Sequence, residues 1–294
     1  MSEAISLSVI IVSYHCRALL EDCLKSIDHY NDIGDALEVI VVDNSVDNDT
    51  VDWLRAARPD VKAVKNENKG FGEANNVGAR LASGRYLLFL NPDTLLVEPV
   101  FRFALENFER DPKLGCFGVQ LLDGEGRRGP SSGFRMPMGF ARITLCRMIT
   151  EAGLFFPSFM YVSGADCFIR AEAFRRCGMF DENIFMYCEE ADLANRLNRL
   201  GYRLGFFPEK HIVHLEGKTQ ESGLAEKYIR EMRSRKYYCE KYGEAFSRWG
   251  RRELRYCRFK RFLLRSRDPE RSREYARIVA FWEDTLRQEG EKGC

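Results

Sequence analysis

The chain has 294 residues, 45% hydrophobic and 30% charged, with 21 Phe and 12 Tyr: enough apolar material for one large α/β domain with an appendage, and too much for a disordered chain. The net charge of +1 hides an asymmetry: between Lys227 and Arg277 there are 18 Lys or Arg against seven Asp or Glu, so two parts of opposite character are expected. Ten scattered cysteines without a CxxC pair read as small buried hydrophobes in a reducing cytosol, and a run of about 18 uncharged apolar residues, as a bilayer-spanning helix needs, is absent.

In chain order, the opening MSEAISLSVIIVSYH has an acidic start and no basic n-region, and is read as a strand rather than a signal peptide. Its apolar core, Leu7 to Val12, suits a parallel strand covered on both faces. Arg17 to Tyr30 places Leu19, Leu20, Cys23, Leu24 and Ile27 at helical spacing. Leu37 to Val42 is a second buried strand, Asp49 to Ala57 a short helix, Val61 to Lys65 a third strand and Phe71 to Ala82 a helix. Tyr86 to Leu90 is a fourth strand, stopped by Asn91-Pro92 because proline has no N–H for a ladder. Strict alternation of strand and helix predicts a doubly wound, mostly parallel sheet.

Past Pro99 the pattern loosens. A helix over Val100 to Asp111 is followed by an apolar run over Leu114 to Leu122 and a loop over Asp123 to Met136, whose Arg127, Arg128 and Arg135 suit either a lid over the donor or acceptor or a solvated surface loop. Phe159 to Ile169 reads as one strand, Arg170 to Cys177 and Glu189 to Leu200 as helices, Tyr202 to Phe207 and Ile212 to His214 as two further strands. The apolar stretch from Gly139 to Phe159 is interrupted by Arg142, Arg147 and Glu151. From Gly223 the signal is helical and basic, which divides the chain into 1–220 and a helical 221–294.

Ligands of open parallel sheets bind past the carboxyl ends of the strands. Those ends carry Ser13-Tyr14-His15, Asp43-Asn44-Ser45, the segment Asn66 to Gly78 and Asn91-Pro92-Asp93. The turn SYHCRALL after the first strand contains no glycine, which excludes a dinucleotide fingerprint, and no Walker A loop occurs. Asp43 at a strand tip suits a base or ribose contact, or a helix cap. Asp93 emerges after Leu87-Leu88-Phe89-Leu90 and suits a hard cation, Mn²⁺ or Mg²⁺, whose remaining ligands come from a diphosphate; as a lone acid after Asn-Pro it also suits a turn. Glu189, Glu190 and Asp192 open a helix where the macrodipole favours acids, and their mutual repulsion should raise at least one proton affinity. His214 ends the last strand and becomes a ligand candidate through its company.

VIIVSYH, VIVVDNSVDNDT, NENKGFGEANNVGARLASGRYLLFLNPDT and GADCFIRAEAFRRCGMFDENIFMYCEEADLANRLNRLGYRLGFFPEKHIVH resemble the family 2 glycosyltransferases, above all the rhamnosyltransferase-like branch, over about Ser6 to Gly217. The resemblance implies a GT-A fold and a metal-dependent, inverting transfer of a sugar from a nucleotide diphosphate donor, dTDP-rhamnose or a UDP-sugar, to a hydroxyl of a glycan or glycolipid in surface-polysaccharide synthesis. Carried over by position, Asp43 holds the donor base; Asn68, Gly70, Phe71 and Asn75 line the loop near the nucleotide; Asp93 and His214 bind metal; Glu190 is the base, with Glu189 and Asp192 in support. Glu190 stands where the family usually has Asp, and Tyr14-His15 where it often has Tyr-Asn, so no role is given to His15. Two alternatives are a sugar nucleotidyltransferase, which needs a basic Gly-rich loop after the first strand, and a non-catalytic binding protein on the same fold. The stretch Arg251 to Arg267, eight basic residues against Glu253 with Leu254, Tyr256, Cys257, Phe259, Phe262, Leu263 and Leu264 interleaved, fits either a helix on an anionic membrane or one packing its apolar side inward. A cytoplasmic protein is expected, either free or peripheral on the inner membrane face, and no nucleic-acid motif occurs.

Overall fold

The computed structural model describes residues 5–135, 148–149, 152–215 and 223–291. The apolar stretch from Gly139 and the boundary expected near 220 lie largely outside the described residues. The chain divides into two compact units, the first gathering Met1–Arg135, Cys146–Phe185 and Glu189–Thr219, the second chiefly Gln220–Cys294.

The first unit begins as alternation demands: β1 (Leu7–Ser13), α1 (Arg17–Tyr30), β2 (Leu37–Asp43), α2 (Asp49–Ala57), β3 (Lys62–Lys65), α3 (Phe71–Leu81) and β4 (Tyr86–Leu90). Next come β5 (Thr94–Leu96), α4 (Phe101–Arg110), β6 (Leu114–Leu122), β7 (Ser132–Phe134), β8 (Met160–Val162), β9 (Asp166–Arg170), α5 (Ala171–Arg176), α6 (Glu189–Arg199) and β10 (Arg203–His214). An eight-stranded sheet runs β3-β2-β1-β4-β9-β6-β10-β5, and β7 pairs with β8 apart from it. Strands β1 to β4 are mutually parallel, as are β6 and β10, whereas β9 runs against both of its neighbours and β5 against β10. The sheet is therefore mixed but mostly parallel. One face packs Val9, Ile11, Leu88, Phe117 and Phe168 on α1 and α4; the other packs Ile10, Leu87, Phe89 and Ile169 against Phe174, Phe180 and Leu197.

Four expectations are corrected. The run Phe159 to Ile169 is two strands broken at Ser163-Gly164-Ala165, with β8 in the small sheet and β9 in the large one. Tyr202 to His214 is one strand, because Pro208, Glu209 and Lys210 loop out between the pairs Phe207–Val119 and His211–Gln120 without ending the ladder. The three-residue β5, directly after Asp93, was not expected. The segment after Asp123 is a hairpin arm rather than an irregular loop: Arg128 bridges to Leu122, and β7 follows. Within it Arg135 is buried, its guanidinium donating to the carbonyls of Met160 and Pro157 and to Asn195.

The second unit contains three helices, α7 (Leu224–Tyr242), α8 (Phe246–Leu264) and α9 (Pro269–Glu291). Their core is Met232, Cys239, Phe246, Cys257, Ile278, Val279 and the fully buried Trp282. Trp282 Nε1 donates to Tyr228 Oη (3.0 Å), and Tyr228 donates to Glu253 Oε2 (3.2 Å). The eight described cysteines are all free thiols, most of them buried. Among the described residues, no helix is long and apolar enough to cross a membrane.

Candidate active site

The candidate residues gather at the carboxyl edge of β1, β2 and β4 and the facing ends of β9 and β10. Asp93 follows β4 through Asn91 and Pro92 and is 3% exposed. His214 is the last residue of β10, which pairs there with Thr94, and Leu215 N donates to the Asp93 carbonyl (2.9 Å). That pairing brings His214 Nε2 to 3.3 Å from Asp93 Oδ1 and 3.4 Å from Asn91 Nδ2. Residues more than a hundred positions apart therefore meet because β5 turns back beside β10.

Among the described residues no group of three or more histidine, cysteine and carboxylate side chains could hold a metal by protein atoms alone. A carboxylate oxygen and an imidazole nitrogen 3.3 Å apart can share one hard cation if a diphosphate completes the shell, so Asp93 and His214 fit such an ion.

Asp43 is fully buried, with Oδ1 accepting from Ser45 Oγ (2.7 Å) and Oδ2 from Lys65 Nζ (3.1 Å). The same ammonium reaches the carbonyls of Ser45 and Asp47. Ser45 Oγ also accepts from His15 N (2.9 Å), which ties the β1 and β2 tips together. Burial pushes the Cys16 thiol up, and the charges of Asp93 and Asp43 add to it; both carboxylates thus act on one thiol at this rim. Asn68 is exposed and accepts from Asn44 Nδ2 (3.4 Å).

Gly70 has φ +117°, and a side chain there would overlap the Phe185 backbone, whose carbonyl accepts from Phe71 N (2.9 Å). The glycine serves this close approach. Asn75 lies within α3, 1% exposed, and donates to the Phe71 carbonyl (3.0 Å). Its neighbour Asn76 clasps both backbone groups of Phe180 (3.0 and 2.9 Å) and so fixes the segment leading toward α6.

The chain enters α6 through Tyr187 (φ 72°) and Cys188 (φ 74°), two successive non-glycine residues in the left-handed region, a costly arrangement found mainly at functional sites. Glu190 Oε1 accepts from Gly164 N (3.1 Å), and the next residue, Ala165, accepts from Asn91 N (3.1 Å). One short turn thus holds the Glu190 carboxylate and the start of the Asn91–Asp93 loop. A Cβ on Gly164 would stand 2.7 Å from Glu190 Oε1, so only glycine leaves that carboxylate its place.

Glu189 and Glu190 both hold their protons more tightly than an ordinary glutamate. Burial is the main cause for each, and the charge of Glu190 adds to it at Glu189. Mutual repulsion is thus the smaller effect, and the Asp192 carboxylate is paired with Arg196 (2.6 and 2.8 Å), which reaches on to the Cys177 carbonyl.

One residue of this edge escaped the sequence reading. Asp166, at the start of β9 opposite Leu90, is fully buried; Oδ2 accepts from Val119 N (2.7 Å) and Oδ1 has no hydrogen-bond partner among the described residues. Burial pushes its carboxyl from 3.8 up to about 7, against the opposing pull of the Val119 hydrogen bond and the charge of His214. An acid inside an otherwise apolar strand run, CFIR following it, was the available signal.

Residues 8–178, more than half of the chain, match Glycosyl transferase family 2, and the chain belongs to that family. It is 26% identical over 226 residues to the Rhamnosyltransferase WbbL of Escherichia coli (strain K12), covering 70% of this chain and 82% of that protein. It is 25% identical over 240 residues to the N-acetylglucosaminyl-diphospho-decaprenol L-rhamnosyltransferase of Mycobacterium tuberculosis, covering 71% and 75%. Other relatives are much longer: it is 30% identical over 136 residues to the chondroitin synthase of E. coli, 45% of this chain but only 19% of that one. In fold it is similar to the mannosyltransferase PcManGT from Pyrobaculum calidifontis, solved with GDP-Man and Mn²⁺, with TM-score 0.58 and 22% identity over 80% of this chain and 63% of that one. The mixed α/β architecture is that of GT-A glycosyltransferases.

Proposed function

We propose that the chain is an inverting glycosyltransferase that moves a sugar from a nucleotide diphosphate donor to a hydroxyl of a glycan or lipid-linked acceptor. The observation that carries this reading is the Asp93–His214 pair, 3.3 Å apart at the sheet edge, with Glu190 held by the turn that also holds Asn91. Two near full-length relatives named as rhamnosyltransferases favour a rhamnosyl donor, and the decaprenol-linked compound in one of their names favours a lipid-linked acceptor.

A divalent cation on Asp93 and His214, Mn²⁺ or Mg²⁺, would supply Lewis-acid neutralisation of the leaving diphosphate. Asp43 marks the base end of the donor site, its carboxylate oriented by Ser45 on one oxygen and Lys65 on the other, with acceptor capacity left for a base N–H. Asn68, Gly70, Phe71 and Asn75 shape the loop and first turn of α3 beside the nucleotide. Glu190 accepts the proton of the attacking hydroxyl, and burial raises its proton affinity above that of an ordinary glutamate, the direction that strengthens a general base. Glu189, buried with Oε2 unpaired among the described residues, has its proton affinity raised by burial and by the charge of Glu190 beside it, and supports Glu190 as its neighbour at the start of α6. Asp192 supports the helix through Arg196. This division of roles favours transfer over a binding-only protein on the same fold.

A thermal-shift screen of nucleotide sugars with and without Mn²⁺ tests the reading. A donor at about 100 times its dissociation constant stabilises by about 2.7 kcal/mol. Asp93→Ala should lose the Mn²⁺-dependent part of the shift; an unchanged shift in that variant would remove Asp93 from the site.

A further inference from the structure

The helical unit leaves one surface that its own packing does not account for. On α8, Trp249, Leu254, Tyr256 and Cys257 turn toward the core around Trp282. The opposite side carries Arg248, Arg251, Arg252, Arg255 and Arg258, then Phe259, Phe262 and Leu263, at steps of one or three residues that keep them on one face, and all eight are exposed. Phe262 is 74% exposed and Phe259 57%. Glu253, the sole acid of this helix, points inward to Tyr228. Arg258 is paired with Glu283 (2.7 Å), and the other four arginines meet no carboxylate among the described residues.

Arginines alone on a helix are an ordinary solvated face, and a single exposed Phe is ordinary too. Two neighbouring phenylalanines turned away from an available core, in a field of one sign, are not. Their rings offer apolar area that water disfavours, while the guanidiniums beside them seek phosphate oxygens. A second copy of the chain is a poor occupant, since a two-fold interface would set like-charged arginine rows against each other.

We propose that the outer face of α8 docks on an anionic phospholipid surface, Phe259 and Phe262 entering the headgroup–acyl boundary and Arg248, Arg251, Arg252 and Arg255 bonding lipid phosphates. The helix lies in the interface plane, and its inner side stays on the Trp282 core. The surface is read from this helix alone and does not rest on the transferase assignment.

The test is flotation of the full chain with vesicles of phosphatidylcholine, with and without one-third phosphatidylglycerol. Binding should require the anionic lipid and fall steeply with salt. Neutralising two arginines as R251Q/R255Q should weaken it roughly 25-fold. Replacing both rings as F259S/F262S should weaken it about 10-fold or more at unchanged salt slope. In Phe262→Trp, the added indole should shift to the blue on vesicles and be quenched by brominated acyl chains. Equal binding to neutral vesicles, or wild-type binding in both double variants, overturns the proposal. So does a double variant that changes only self-association in sedimentation velocity, or only RNA retention. All of these substitutions are at exposed positions, and unchanged helical circular dichroism will show that the unit is folded.

Discussion

The two units treat charge in opposite ways. In the sheet unit Asp43, Asp93, Asp166, Glu189 and Asp192 are each at most 3% exposed, and most cluster where strands end. Among the described residues of the helical unit the buried polar ones are Ser234, Ser272 and Thr285, and arginines crowd its outside beside exposed phenylalanines. Burying a carboxylate costs several kcal/mol unless it is paired or protonated, and a fold gains nothing by accumulating such groups. Exposing an aromatic ring carries a smaller cost of the same sign. Each unit thus gives up stability in one place, the first at buried acids, the second at rings facing outward. The contrast is what the proposed donor site in the first unit and the proposed docking face in the second would each require.

The largest expected effect is at Glu190, the half-buried neighbour of those acids. Glu190→Gln keeps the shape and the Gly164 hydrogen bond but cannot accept a proton, so turnover should fall about 10²–10⁴-fold while the Mn²⁺-dependent donor shift persists. Gly164→Ala is the gentler form, since the new Cβ must displace Glu190 Oε1 from 2.7 Å; turnover should fall by roughly 10²-fold, the scale of a 1 Å misplacement. Because burial raises the Glu190 proton affinity, wild-type turnover should drop as pH falls through that raised value, and the drop should be missing in Glu190→Gln. Full activity in either variant would dissolve the distinction between the units, leaving the buried acids as packing accidents.

Asp166 sharpens the same contrast through stability. Its carboxyl rises from 3.8 to about 7 in the fold, so the folded state binds the proton more tightly than the unfolded chain. Its contribution is therefore fully present below pH 3.8 and is lost as pH rises toward 7. Asp166→Asn removes the titration. With EDTA present, urea unfolding should show the variant gaining on the wild type between pH 4 and 7, by at most about 4 kcal/mol, and holding that gap above 7. A gap independent of pH would mean that the buried carboxyl is not titrating in this range.

Much of the sheet unit was legible because apolar periodicity and strand punctuation are local. The bounds of α1, α2 and β4 follow from apolar spacing and from Asn91-Pro92. Strand direction is not local. Nothing in Asp166 to Arg170 says that it runs against β4, and nothing in Pro208-Glu209-Lys210 says that the ladder resumes at His211. The latter depends on Glu98, which accepts from Lys210 Nζ (2.9 Å) and His211 N (2.9 Å) and so pins the looped-out residues. Motif order pointed to Asp93, His214 and Glu190, whereas Asp166 was hidden inside a run read as one strand. Which half of α8 faces outward was equally closed to sequence reading. Leu254 and Phe262 have the same character, and only the position of Trp282 separates them.

The smallest expected effect probes that position. Gly250 lies on the inner side of α8, and a Cβ there would be 2.6 Å from Trp282 Cζ3 and 3.0 Å from Cε3. Two effects compete in Gly250→Ala. Alanine favours the helix by about 1 kcal/mol over glycine, and overpacking costs about 1–3 kcal/mol. Trp282 cannot slide away, because Nε1 is bonded to Tyr228 and the ring is flanked by Phe246 and Trp249 at 5.2 and 5.3 Å. Overpacking should therefore win, with a net loss of about 1 kcal/mol in urea unfolding followed by tryptophan fluorescence, and no change in the Mn²⁺-dependent donor shift. A gain in stability would mean that the indole yields, so that the inward side of α8 is not held fixed, and the outward face of Phe259 and Phe262 would lose the anchor that orients it.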